Sequence, residues 1–117
     1  MAADRLRAAA TLLRERAEAA TPGPWFVEED DWDVHVLAND PHIPIPYGVA
    51  RDLGDRDGDA AYIAAMHPLV GLAVAGWLDT IAGEAASNEE FDGLDPYQTI
   101  AGYADALAVA DLILGGA

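Results

Sequence analysis

The sequence predicts an α+β fold: an N-terminal helix, a small antiparallel three-stranded meander, then two to three C-terminal helices. Three observations carry that expectation. Residues 4–20 repeat apolar side chains at helical spacing, residues 25–53 hold short β-branched and aromatic runs between turn residues, and residues 60–114 return to helical spacing. The 117-residue length suits one domain, on a scale of roughly 100–200 residues per domain, so residues 1–117 are expected to form a single compact acidic domain. A 52% apolar and 23% charged composition supports a folded core rather than a disordered acidic tail.

The first helix is expected over Asp4 to Ala20, with Leu6, Ala9, Leu13, Ala17 and Ala20 on one face. Thr21-Pro22-Gly23-Pro24 ends it, because two prolines and a glycine cannot continue a helix. Trp25 to Glu28 and Asp33 to Leu37 read as two strands joined across the acidic turn Glu29 to Trp32. Val34 and Val36 then share one strand face, with Asp33, His35 and Leu37 on the other. Asn39-Asp40-Pro41 and Ile43-Pro44-Ile45-Pro46 are too proline-rich for a central strand. They lead instead to a third strand over Tyr47 to Leu53.

Asp59 is expected to cap a short helix over Ala60 to Met66. Pro68 suits the first turn of a second helix reaching about Ala86, with Val70, Val74, Trp77, Ile81 and Ala85 as its apolar stripe. Ser87 to Gly93 is an acidic, turn-like connection. Asp95-Pro96-Tyr97-Gln98 combines an N-cap acid, proline at N1 and a capping-box glutamine, so a last helix is expected from there to Leu114, stopped by Gly115 and Gly116. Its stripe is Ile100, Tyr103, Leu107, Ala110 and Leu114. Packing of that stripe against residues 68–86 is the simpler account, and a homodimer seam through the C-terminal helices is the alternative, since two heptads fall short of a coiled coil.

Composition removes several chemistries. With no Cys there is no thiol nucleophile, disulfide framework or Cys-based zinc site, and with no Lys there is no Schiff base or Walker-type phosphate loop. The single serine, Ser87, makes a serine hydrolase a poor reading. The formal net charge is −15 and is uneven: residues 1–20 carry four arginines against three acids, while residues 21–117 carry two arginines against 18 acids. Such a chain repels phosphates and anionic lipid, so direct nucleic-acid binding and a membrane partner are not expected; a cationic partner is. The N-terminus lacks an apolar signal core because Arg5 and Arg7 interrupt it. The uncharged run Ala60 to Leu78 is divided by Pro68 and carries His67. A cytoplasmic location is therefore expected.

Asp33-Val34-His35 and Asp40-Pro41-His42 each set a carboxylate two residues from an imidazole, the beginning of a metal site if both lie on a strand. A mononuclear site needs about three ligands, and in so acidic a chain an Asp near a His is ordinary, so surface or turn histidines are the expectation. Asp55-Arg56-Asp57-Gly58-Asp59 fails as a calcium loop: aligning Gly58 with the invariant EF-hand glycine puts Leu53 and Ala64 at ligand positions that must carry oxygen. No catalytic residue, metal or cofactor is assigned. Asp105 and Asp111 fall off the last helix's stripe and are expected in solvent.

The run Glu28, Glu29, Asp30, Asp31, Trp32, Asp33 sets five carboxylates about one aromatic at a hairpin tip. A solvated turn that keeps a hairpin edge from aggregating explains it. So does a contact surface for a basic protein, with the acids steering association and Trp32 as buried anchor. A nucleotide-like ligand stacked and paired by Trp32, Tyr47 and Arg51 is another alternative, as is an oligomeric assembly protein.

Two stretches carry a family resemblance over about the first 80 residues: Leu12 to Trp25, a helix ending in Thr-Pro-Gly-Pro-Trp, and Val49-Ala50-Arg51 followed by Gly58 to Pro68. Together they resemble the small accessory proteins of actinobacterial phages and prophages, similar to the ead-type early-region proteins of temperate phages. The resemblance implies a helix, a small sheet and further helices, and a non-enzymatic role in the host bacterial cell. It implies structural roles for Pro22, Gly23, Pro24, Trp25, Asp59, Ile63 and Pro68. The acidic loop and capped last helix after Leu78 depart from the pattern.

Overall fold

The computed structural model describes residues 2–31, 33–39, 46–51, 57–88, 95 and 100–115. The element order is α1 (Ala2–Ala19), β1 (Trp25–Glu29), β2 (Val34–Ala38), β3 (Tyr47–Ala50), α2 (Asp57–Ala65), α3 (Pro68–Ser87) and α4 (Tyr103–Gly115). This is the α+β arrangement expected, a helix, a three-stranded antiparallel meander and then helices. Contacts group the chain into two compact units, Arg16–Gly71 and a second made of Met1–Glu15 with Leu72–Ala117.

The second of these is helical. Its core joins Leu6, Ala9 and Ala10 of α1 with Ala75, Leu78, Ile81, Ala82 and Ala85 of α3 and with Ile100, Tyr103, Ala106, Leu107 and Ala110 at and within α4. Leu6 and Leu78 are its largest fully buried side chains, and alanines fill most remaining positions, which lets helix axes approach closely. The stripe expected on α3 is met in part: Ile81 and Ala85 are buried in this core and Val74 packs against it. Val70 is half-buried and Trp77 is 38% exposed, and Ala75, Leu78 and Ala82 complete the inward face. A close-packed interface selects small residues there, and size alone misdirects the reading. Four residues of the expected last-helix stripe, Ile100, Tyr103, Leu107 and Ala110, are buried in this same core, and Leu114 packs against it.

The last helix begins later than expected. Ile100 to Gly102 form a turn, and Gly102 has a φ of 78°, the left-handed region that glycine enters freely. The Gly102 carbonyl accepts the Ala106 N–H at 2.9 Å, so Gly102 is the residue from which α4 starts. Asp95 is described, but Pro96 to Gln98 of the expected cap lie outside the described residues, as does Gly116. Arg14 bridges to Asp79 at 2.8 Å, and Arg5 pairs with Asp111, so both arginines tie α1 to neighbouring helices and Asp111 is a partner rather than a purely solvated acid. Half-exposed pairs of this kind contribute about 0.2–1 kcal/mol each.

The other unit is a sheet with one helix across it. β2 is central, pairing with β1 from Trp25↔Ala38 to Glu29↔Val34 and with β3 through Val36↔Ala50 and Leu37↔Gly48, with a register shift between Val36 and Leu37. Val34 and Val36 pack with Ala60 and Ala64 of α2, and Trp25, Val49 and Ile63 join them half-buried. All five β2 residues are buried, so the strand is covered on both faces. The third strand ends at Ala50, and α2 begins at Asp57. Asp59 is therefore the third residue of α2 and not the cap preceding it. A carboxylate in that first turn still favours the helix through the macrodipole.

The Thr21–Pro24 corner is built tightly. Gly23-Pro24 is a cis peptide bond, and the Trp25 indole N–H donates to the Thr21 carbonyl at 3.0 Å. A Cβ on Gly23 would lie 2.6 Å from His67 Nδ1, so any side chain there must displace that ring. His67 in turn starts α3: its carbonyl accepts the Val70 N–H at 3.0 Å, and its Nδ1 accepts the Leu69 N–H at 3.3 Å. Pro68 then occupies the first helical position and is buried.

Candidate protein-interaction surface

The β1–β2 hairpin places the acidic run at the tip of the sheet unit. Glu28 and Glu29 end β1, with Glu28 opposite His35 and Glu29 opposite Val34. Glu28, Glu29, Asp30 and Asp31 are exposed and Asp33 is half-buried. Trp32, the expected anchor, lies outside the described residues.

The five carboxylates are not equivalent. Asp30 organises the turn: its N–H donates to the Asp33 carbonyl at 3.0 Å, its Oδ1 accepts the Asp33 N–H at 2.6 Å, and its Oδ2 lies 2.9 Å from His35 Nε2. Asp33 Oδ1 accepts the N–H of Val34 at 2.9 Å, fixing the entry to β2. His35 is 8% exposed, so the expectation of a surface histidine is overturned here. A ring buried in a central strand needs a polar partner for its nitrogen, and Asp30 supplies one at Nε2. Sequence reasoning paired His35 with the residue two positions away on the same strand. Its carboxylate partner sits across the turn, a relation visible only once the hairpin register is known.

What this arrangement can do is present charge. Glu28, Glu29 and Asp31 project from a turn whose backbone is held by Asp30 and Asp33. Among the described residues no group of three His, Asp or Glu side chains is placed to hold a metal, and Asp40 and His42 lie outside them. Arg51 is exposed beyond β3, with its guanidinium against Gly48; the Tyr47 side chain is outside the described residues, so the Trp32, Tyr47 and Arg51 set is not assembled by what is described.

Sequence reasoning also missed an apolar feature of the same unit. Tyr62, Met66 and Leu69 are 69%, 50% and 53% exposed, within the uncharged run already noted from Ala60 to Leu78. The helix α3 is long and apolar enough, by length and composition, to cross a membrane. Five of its residues nevertheless belong to the helical core. Comparison with protein-family models, with curated proteins and with solved structures finds no match to this chain.

Proposed function

We propose that this chain is a non-enzymatic accessory protein of phage or prophage type that binds and modulates a basic protein of the bacterial host cell through the acidic hairpin. Its sharper form is a nucleic-acid mimic, in which the carboxylates imitate a phosphate array and occupy the groove of a defence or DNA-binding protein. The supporting observation is the division of labour in the hairpin. Asp30 and Asp33 hold the turn by hydrogen bonds while Glu28, Glu29 and Asp31 stand exposed. A pre-organised turn spends little ordering entropy on binding, and the 18 acids of residues 21–117 supply long-range steering toward a cation. The resemblance of the Thr21–Trp25 corner and the Gly58–Pro68 stretch to phage accessory proteins supports the biological setting.

The test is a tagged pull-down from host lysate washed at low and at high salt, run beside Glu29→Gln/Asp31→Asn. One basic protein retained at low salt, released at high salt and lost with the double variant is the expected result, because exposed charges are screened as the Debye length falls. Full retention by the double variant overturns the assignment. Asp30 stays unaltered in this test, since its loss would disturb the turn as well as the charge.

A further inference from the structure

Resting on the basic-partner reading, we infer that Tyr62, Met66 and Leu69 form the apolar anchor against which that partner docks, and that the docking element is an amphipathic segment carrying basic residues. The three side chains fall within eight residues of one compact unit, all at least half exposed. Helix α2 turns Ala60, Ile63 and Ala64 to the sheet, which carries Tyr62 roughly to the opposite side at about 100° per residue. Met66, one turn further on, bonds back to the Tyr62 carbonyl at 3.1 Å, keeping the pair in register. Aromatic and Met side chains are the types enriched at the centres of protein interfaces.

Charge selects the occupant. Residues 16–71 hold eleven acids against three arginines, a net of −8, yet no charged residue lies between Ala60 and Leu78. A second copy of the chain brings a net charge of −15 and is repelled, and an anionic lipid surface is repelled likewise. A wholly apolar segment gains nothing from the surrounding field. A segment with one apolar and one basic face satisfies both: its apolar side covers Tyr62, Met66 and Leu69 while its cations meet the acids of the same unit.

The probe is a synthetic Leu/Lys amphipathic peptide, compared with a Ser/Lys peptide of the same length and charge, titrated calorimetrically into the full chain. The Leu/Lys peptide is expected to bind about tenfold more tightly or better, the size of effect that a few buried anchors supply. Tyr62→Ser/Met66→Ser/Leu69→Ser should abolish that preference while keeping the circular dichroism and melting temperature of the parent. The hairpin pair Glu29→Gln/Asp31→Asn should weaken both peptides alike. Equal affinity of the parent for the two peptides, or a preference that survives the triple substitution, overturns the anchor. If the hairpin pair has no effect on either peptide, the acidic-hairpin reading fails instead. Binding of the parent to neutral phosphatidylcholine vesicles without a peptide preference would assign the patch to lipid and overturn the inference.

Discussion

Asp30 Oδ2 and His35 Nε2 lie 2.9 Å apart across the β1–β2 turn, with the His35 side chain 10% exposed and the Asp30 side chain 48% exposed. One side chain therefore closes the turn through the Asp33 N–H and supplies the polar partner of a histidine buried in the central strand.

Asp30→Ala removes both bonds and leaves a buried ring nitrogen without this acceptor. A cost of about 1–3 kcal/mol is expected, for the loss of the turn bond together with a charged partner of a buried ring. Glu29→Gln, at an exposed position, should stay within about 0.5 kcal/mol of the parent. Urea unfolding of the two variants checks the difference. Equal midpoints would show that the turn does not depend on Asp30.

Gly23 and His67 make the second testable pair. A Cβ at Gly23 meets His67 Nδ1 at 2.6 Å, so Gly23→Ala must push the ring away and with it the acceptor for the Leu69 N–H at the start of α3. Losing a helix cap costs about 0.5–2 kcal/mol, and His67→Ala should destabilise by a similar route. Because both changes strike one contact, Gly23→Ala/His67→Ala should cost clearly less than the sum of the singles. Residues that share a contact are expected to couple in this way. Additive losses would mean that the ring and the corner act independently.

Much of the fold was legible because its signals are local. The Thr21–Pro24 helix stop, the Val34/Val36 alternation and Pro68 at the start of α3 each depend on a few adjacent residues, and each element appears where those residues stand. Boundaries that depend on longer-range packing moved: α2 starts at Asp57, ahead of Asp59, and α4 starts at Tyr103 because Gly102 turns the chain. The candidate site was half legible. An acidic run announces itself in sequence, but the separation of Asp30 from Glu29 and Asp31 depends on which carboxylate the turn brings to His35. The exposure of Tyr62, Met66 and Leu69 was hidden for the same reason, since periodicity shows that a residue is apolar without showing which side its helix buries.

Gly102 offers a test of the later helix start. Its φ of 78° is one that an L side chain enters at a cost of roughly 1–2 kcal/mol, and no neighbouring atom lies within 4 Å of where a Cβ would stand. Gly102→Ala should therefore destabilise through backbone strain alone, by about that amount. Gly102→Asn, a residue that tolerates this region better, should recover part of the loss. Were the helix to run unbroken from Pro96, Gly102→Ala would instead stabilise by up to about 1 kcal/mol, as glycine to alanine does inside a helix. The sign of the change in melting temperature separates the two.

The buried face of α3 gives the sharpest contrast between neighbours. Leu78 is fully buried and Trp77 is 38% exposed, although tryptophan is the larger and was the expected core residue. Leu78→Ala empties space among Leu6, Ala82 and the other residues of the helical core. A loss of about 2–5 kcal/mol is expected for such a cavity, the upper end applying if rigid neighbours such as Tyr103 cannot relax into it. Trp77→Ala removes a side chain that water already reaches, so the loss should be well under the about 3–5 kcal/mol typical of a buried tryptophan. Denaturant unfolding with both variants ranks them directly. A larger loss at Trp77 than at Leu78 would return α3 to the face that its large residues suggest and would displace Ala75 and Ala82 from the core.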